Sequence, residues 1–268
     1  MFRLVDSPRY AFLDHPGPIP FAHRGGALEA PENSWAAFRH AVDLGYRYIE
    51  TDVHATSDGI VVAIHDPDIA RTTERSGLVQ EMPWSDLAAV RASGTDEPVP
   101  RLDDALAAWP DVRWNIDAKH DSVVGPLIET IHRAGALDRV CVTSFNDRRL
   151  ARVRRAFGPR LCTGMGPAAA TALRLASVLP ARAAEPFARR VRGFAAAQVP
   201  VRQGRVPVVD RRFVDTAHRL GIEVHIWTVD EPSLMATLLD LGVDGIMTDR
   251  PSALRDVLAG RGTWTGVA

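Results

Sequence analysis

Two spacings of apolar residues alternate along this chain. Short runs of apolar and β-branched residues begin near positions 19, 47, 112, 140, 161, 194, 222 and 244. Between them lie segments whose apolar residues recur every three or four positions, near 34–44, 102–108, 121–135, 146–157, 168–192, 211–220, 231–241 and 252–259. A period of two predicts strands and a period near 3.6 predicts helices. The first helix shows the pattern clearly: Ser34 is placed to cap it, Trp35, Phe38, Ala41, Val42 and Leu44 supply its apolar stripe, and Gly45 ends it. Eight strand–helix units in succession predict an α/β fold of the (β/α)8 TIM-barrel type rather than two domains. The expected organisation is an irregular tail over 1–18 that wraps the domain, one barrel domain over 19–260 and a C-terminal tail over 261–268.

One stretch breaks the regular pattern. In YIETDVHATSDGIVVAIHD, residues 48–66, Glu50 and Asp52 interrupt a strand otherwise made of strand-forming residues, and their spacing sets both carboxylates on one face. Such a pair is commonly no more than the solvated face of a half-buried strand. Here Ser57-Asp58-Gly59 signals a turn and Ile60 to Ile64 a returning strand, giving a hairpin extra to the eight units. A turn centred near 57.5 brings His65 back opposite Glu50. Two carboxylates and an imidazole then converge, an oxygen-rich setting suited to a hard cation such as Mg²⁺ or Ca²⁺. With the hairpin, residues of about 54–100 form an insertion. It contains one short helical piece, SDLAAVRA, and is too short for a core of its own.

Composition narrows the class without deciding it. A hydrophobic content of 46% with 24% charged residues suits a globular protein with a sizeable core. A net charge of −1 and the absence of a long basic run argue against nucleic acid as partner. No window has the ~20 apolar residues of a membrane span, so stable membrane insertion is not expected. Asp6, Pro8, Arg9 and Asp14 interrupt any leader-like run. Cys141 and Cys162, in apolar runs and without metal-ligand spacing, read as reduced core residues, and the expected location is cytoplasmic. Oligomeric state is not encoded in any feature of the chain.

Active residues of such barrels sit at the C-terminal ends of the strands. That rule gathers His23 and Arg24, Glu50 and Asp52, Asp117 and Lys119, Ser144 and Asn146, and Trp227 and Asp230 at one mouth, with His65 returned by the hairpin. The glycines of His23-Arg24-Gly25-Gly26 would let the backbone approach a ligand closely, although for so short a motif a plain turn is the better explanation.

Several phrases, in order and spacing, resemble the glycerophosphodiester phosphodiesterase family. They are His23-Arg24-Gly25, Pro31-Glu32-Asn33-Ser34, Glu50-Thr51-Asp52-Val53, Thr56-x-Asp58-Gly59, His65-Asp66, Arg71-Thr72-Thr73 before Gly77, and Asp117-x-Lys119. Ser144-Phe145-Asn146, Trp227-Thr228-Val229 and Asp244 to Asp249 extend the likeness, which runs from about 19 to 255. The resemblance implies the phospholipase-C-like phosphodiesterase type of barrel. It implies metal-dependent hydrolysis of glycerophosphodiesters, small molecules of lipid and glycerol metabolism, to an alcohol and sn-glycerol 3-phosphate. It further implies His23 and His65 as the general acid/base pair, and Glu50, Asp52 and Asp117 as ligands of one divalent cation, Mg²⁺ or Ca²⁺ with Mn²⁺ also acceptable. Arg24 and Lys119 become phosphate partners. Trp227 is expected to bind substrate, with Trp84 and Phe145 either lining the headgroup side or packing. Where this chain has Asp117 the family more often has Glu, so ligation there runs directly or through water. Asn33 is a support residue, and Glu32 is read as a helix-start carboxylate rather than a partner within the site. Three rivals share the fold: a lysophospholipase D-like lipid phosphodiesterase, a phosphoinositide-cleaving lyase, and a catalytically silent barrel that binds phosphorylated ligands.

Overall fold

The computed structural model describes residues 10–266; residues 1–9 and 267–268, parts of the two expected tails, lie outside the described residues. Eight parallel strands build the barrel. In chain order they are β1 (Ile19–His23), β2 (Tyr48–Ala55), β4 (Arg113–Ala118), β5 (Val140–Thr143), β6 (Cys162–Thr163), β7 (Ala196–Pro200), β10 (Glu223–Trp227) and β11 (Gly245–Thr248). β3 (Val61–Ala63) returns antiparallel on β2, and β8 (Arg202–Gln203) and β9 (Val206–Pro207) form a separate hairpin. The sheet runs β6-β5-β4-β2-β1-β11-β10-β7, and a bridge between Gly164 and Ala196 brings its ends together into a nearly closed barrel. The expected fold class is therefore the observed one.

Outward side chains of the strands meet the helices. Ile49, Trp114, Ile116 and Val142 pack with Phe38, Leu106, Leu127, Ile131 and Val153 on one side. Val224, Ile226 and Ile246 pack with Leu173, Phe213, Met235 and Leu254 on the other. The inward side chains change character along the barrel axis. At the N-terminal end Tyr10, Phe12 and Leu13 fold back against Phe21, Tyr48, Cys141, Cys162 and Met247, with the Tyr48 hydroxyl donating to the Phe12 carbonyl at 2.8 Å. The expected wrapping tail is, over residues 10–13, a stopper. Above it Asn115 and Gln198 exchange amide hydrogen bonds of 2.9 and 3.2 Å across the interior, and Gln198 reaches the fully buried His225 at 3.3 Å. The charged layer tops the stack. Both cysteines are buried and free, as expected of core thiols.

Four details differ from the sequence reading. The long helical segment of 168–192 is two helices, Pro167–Val178 and Ala181–Val191. Pro180 forces the preceding Leu179 into extended backbone (ψ 151°), which ends the first of them. The β8–β9 hairpin was invisible because its residues are exposed and lack alternation. The insertion does bury a satellite core of Val62, Ile64, Ile69, Val79, Leu87, Val90 and Val99, made possible because β3 and its neighbour Ile64 lend it apolar side chains. Finally, Val53 pairs with Ala63 and the Ile64 amide donates to the Asp52 carbonyl at 2.9 Å. Continued, that register sets His65 beside Thr51 rather than Glu50. Thr56 shifts the turn, accepting from the Ile60 amide through its hydroxyl at 2.9 Å while Gly59 takes φ +83°.

Candidate active site

Each sequence-predicted site residue lies at the C-terminal end of the barrel. His23 ends β1, Glu50 and Asp52 stand on β2, Asp117 on β4 with Lys119 just beyond it, and Trp227 ends β10. Together with Arg24 and His65 they line one cavity of about 670 Å³.

The charges interlock. Lys119 Nζ lies 2.7 Å from both Asp52 Oδ1 and Asp117 Oδ2. Arg24 Nε is 3.0 Å from Asp52 Oδ2, which also accepts from Asn33 Nδ2 at 3.1 Å. Asn33 in turn accepts from the Thr51 hydroxyl at 2.7 Å, so its amide locks Asp52 as a support residue should. Burial would raise the Asp52 carboxyl, but Lys119 and Arg24 outweigh it and hold the group below its ordinary value. Glu50 has no comparable cation. Burial first, and the charge of Asp52 second, push its pKa up to about 7. Burial likewise raises Asp117 despite Lys119, and its Oδ1 is buried with no hydrogen-bond partner.

Each histidine has its own carboxylate. His23 Nδ1 donates to Asp249 Oδ1 at 2.6 Å, and Asp230 Oδ1 fixes Asp249 by accepting from its amide at 2.8 Å. Burial alone would lower His23, yet Glu50 and Asp249 raise it. His65 Nδ1 donates to Asp66 Oδ1 at 2.6 Å. Asp66 accepts from Arg71, and that bond comes first among the causes that bring its carboxyl down to about 2. Arg71 then reaches Glu32 at 2.7 and 2.9 Å, and Glu32 holds Arg24 at 3.0 Å. Glu32 is thus a bridge between two arginines and not a helix-start carboxylate; the helix Trp35–Asp43 begins after Ser34, whose hydroxyl accepts from the Ala37 amide. Sequence reasoning quoted Asp66, Arg71 and Asp249 without giving them work. Their signal is position: Asp66 follows a strand-end histidine and Asp249 follows β11.

Gly25 and Gly26 serve packing rather than ligand approach. A Cβ on Gly25 would stand 2.7 Å from Ala37 Cβ, and one on Gly26 would stand 2.6 Å from Pro251 Cγ. Around them Arg24 (φ +53°) and Asn33 (φ +50°) adopt left-handed backbone, conformations held where the surroundings overdetermine them. Phe145 and Trp227 meet edge to face at 5.6 Å on the cavity wall. Trp84 packs on the insertion's satellite core under Arg101 and does not line the cavity.

Among the described residues no three His, Cys, Asp or Glu side chains cluster closely enough to cage a metal ion. The Lys119 ammonium stands between two of the three expected ligands. The donor set still fits a hard cation, since Glu50, Asp52 and Asp117 offer only oxygen and Asp117 Oδ1 is left unbonded.

Residues 23–253 match the model of the glycerophosphoryl diester phosphodiesterase family. A Mycobacterium tuberculosis protein named "Probable glycerophosphodiester phosphodiesterase 2" is 44% identical over 262 residues, 97% of this chain and 98% of its own. A glycerophosphodiester phosphodiesterase of Caldanaerobacter subterraneus subsp. tengcongensis is 30% identical over 249 residues, 88% of this chain and 96% of its own. Among solved structures, the glycerophosphodiester phosphodiesterase of Agrobacterium tumefaciens superposes with a TM-score of 0.74 at 25% identity, covering 91% of this chain and all of that one. A barrel with a charged mouth, matched nearly end to end in sequence and in structure, is here a phosphodiester-cleaving enzyme, and the chain belongs to the glycerophosphoryl diester phosphodiesterase family.

Proposed function

We propose that the enzyme hydrolyses glycerophosphodiesters to an alcohol and sn-glycerol 3-phosphate by two-histidine acid/base catalysis with a divalent cation, and that residues 19–260 are the catalytic unit. The observation that carries this reading is that His23 and His65 line one cavity with Arg24 and Lys119, each histidine tied through Nδ1 to a carboxylate. That tie fixes the tautomer and leaves Nε2 for proton transfer. Asp249 and Asp66 act as positioning residues.

In the proposed mechanism Arg24 and Lys119 bind the phosphodiester anion, which resists attack until its charge is offset. One histidine takes the proton of the glycerol hydroxyl next to the phosphate as its oxygen bonds to phosphorus. The other protonates the departing alcohol as the phosphorus–oxygen bond to it breaks. Water then opens the cyclic phosphate with the histidine roles reversed, and each proton transfer contributes typically ~10²–10⁴-fold. Direct attack by water on the diester is the alternative first step, and detection of cyclic glycerophosphate by phosphorus NMR separates the two. Glu50, Asp52 and Asp117 would hold the cation, Mg²⁺, Ca²⁺ or Mn²⁺, which supplies further neutralisation of the phosphate.

The test is release of sn-glycerol 3-phosphate from glycerophosphocholine and glycerophosphoethanolamine, in EDTA and with each cation restored. Activity is expected only with a cation, and His23→Ala and His65→Ala are each expected to lose at least about 10²-fold in kcat with the fold retained. Release that survives EDTA, or in either variant, contradicts the mechanism. No release from folded protein with any cation contradicts these two substrates and favours a lipid substrate first and the silent binding barrel next.

A further inference from the structure

Charge is segregated along this chain although the whole is close to neutral. From helix Asp147–Phe157 through helix Arg211–Arg219 the sequence holds 16 arginines and four acidic residues, a net charge of +12, against −1 for the full chain. Two of those acids are already engaged, Asp210 by Arg174 and Glu185 by Arg189, each at 2.8 Å. The insertion over 54–100 has the opposite balance, eight acidic residues and three arginines.

The fold carries part of the basic excess to the rim of the barrel mouth, where the segments that follow strand ends lie. Arg148 stands in the first turn of the helix after β5. Arg202 and Arg205 lie on the β8–β9 hairpin after β7, and Arg211 and Arg212 open the helix that follows it. All five are exposed. The Arg174–Asp210 pair binds helix Pro167–Val178 to the cap of helix Arg211–Arg219, so these elements form one continuous side of the molecule. That side also exposes large apolar side chains, Phe145 at 64%, Val206 at 62% and Leu175 at 36%.

Guanidinium groups bind phosphate, whether of a nucleic acid or of a lipid surface. The apolar side chains separate the two. Valine and leucine gain nothing against a phosphate backbone, but arginines interleaved with exposed apolar groups match the headgroup–acyl boundary of an anionic bilayer. We infer that the rim formed by the β5–helix turn, the β8–β9 hairpin and the start of helix Arg211–Arg219 is a peripheral docking surface for an anionic lipid bilayer. Arg148, Arg202, Arg205 and Arg212 meet lipid phosphates, while Val206 and Phe145 enter the headgroup layer. The acidic insertion is repelled by the same surface, so the molecule docks tilted onto its hairpin side. This surface is separate from the acid/base site and does not depend on which diester is cleaved there.

Co-sedimentation of the full chain with vesicles of phosphatidylcholine alone, and of phosphatidylcholine with about one third phosphatidylglycerol, tests the assignment. Binding is expected to the anionic vesicles at about 0.1 M salt and to be lost at about 1 M, where charges act over about 3 Å rather than about 10 Å. Each basic side chain near an anionic surface strengthens partitioning by about fivefold, so the Arg202→Gln, Arg205→Gln double variant is expected to bind at least about tenfold more weakly. The Arg75→Gln, Arg91→Gln double variant loses the same charge from exposed positions of the insertion and is expected to bind as the wild type does. Equal losses in the two variants would assign the attraction to net charge and overturn the rim. No binding to anionic vesicles, or equal binding to neutral ones, overturns the surface altogether. Tighter binding to duplex DNA at the same salt, or self-association through the acidic insertion of a second copy, gives the rim to another partner and overturns the proposal as well.

Discussion

Glu50 carries a local conflict, a carboxyl buried beside Asp52 and pushed up to about 7 from its ordinary 4.5. Between those values the folded protein keeps a proton that the unfolded chain has released. Stability conferred by that proton is therefore complete at low pH and is lost as pH rises from about 4.5 through about 7. In EDTA the wild type is expected to be less stable at pH 8 than at pH 5, while Glu50→Gln, which has no proton to lose, escapes this term. The gain at pH 8 is on the order of 2–3 kcal/mol. Urea unfolding of both proteins at the two pH values measures it, and parallel pH dependences would refute the assignment. Burial raises Asp117 as well, and its one unbonded oxygen marks where compensation is missing.

At the scale of elements, the turn from β1 into helix Trp35–Asp43 determines how Arg24 is presented. Gly25 takes φ +82° with its missing side chain against Ala37. Gly25→Ala combines a left-handed alanine, about 1 kcal/mol, with overpacking of about 1–3 kcal/mol. A fall in thermal midpoint of several degrees is expected, and an unchanged midpoint would contradict the packing account. That turn shows what the sequence could and could not reveal. The periodicities of eight strands and their helices were legible because burial writes itself as alternation. Glu50 and Asp52 were legible because charge in a buried strand is conspicuous. The role of the glycines was not, since a residue without a side chain carries no sign of what presses on it. Nor were the links from Asp249 to His23 and from Glu32 to Arg71, which join residues 226 and 39 positions apart. The β8–β9 hairpin escaped for the opposite reason, its exposed residues following no burial pattern at all.

Across the whole molecule the barrel is graded from apolar, through amide and imidazole, to ionic. Its lower end is stopped by Tyr10, Phe12 and Leu13. Among the described residues the cavity is lined by the upper parts of the strands and by the segments that follow them. If substrate enters and both products leave through that mouth, the order of departure is set by what holds each product inside. On the proposed reaction the phosphate-bearing product would gain a negative charge on cleavage and would face Arg24 and Lys119, so the alcohol is expected to leave first. Steady-state kinetics should then show sn-glycerol 3-phosphate competing with substrate for the empty enzyme, while added alcohol inhibits noncompetitively. The reverse pattern would mean that the phosphate slips past an alcohol still in the doorway.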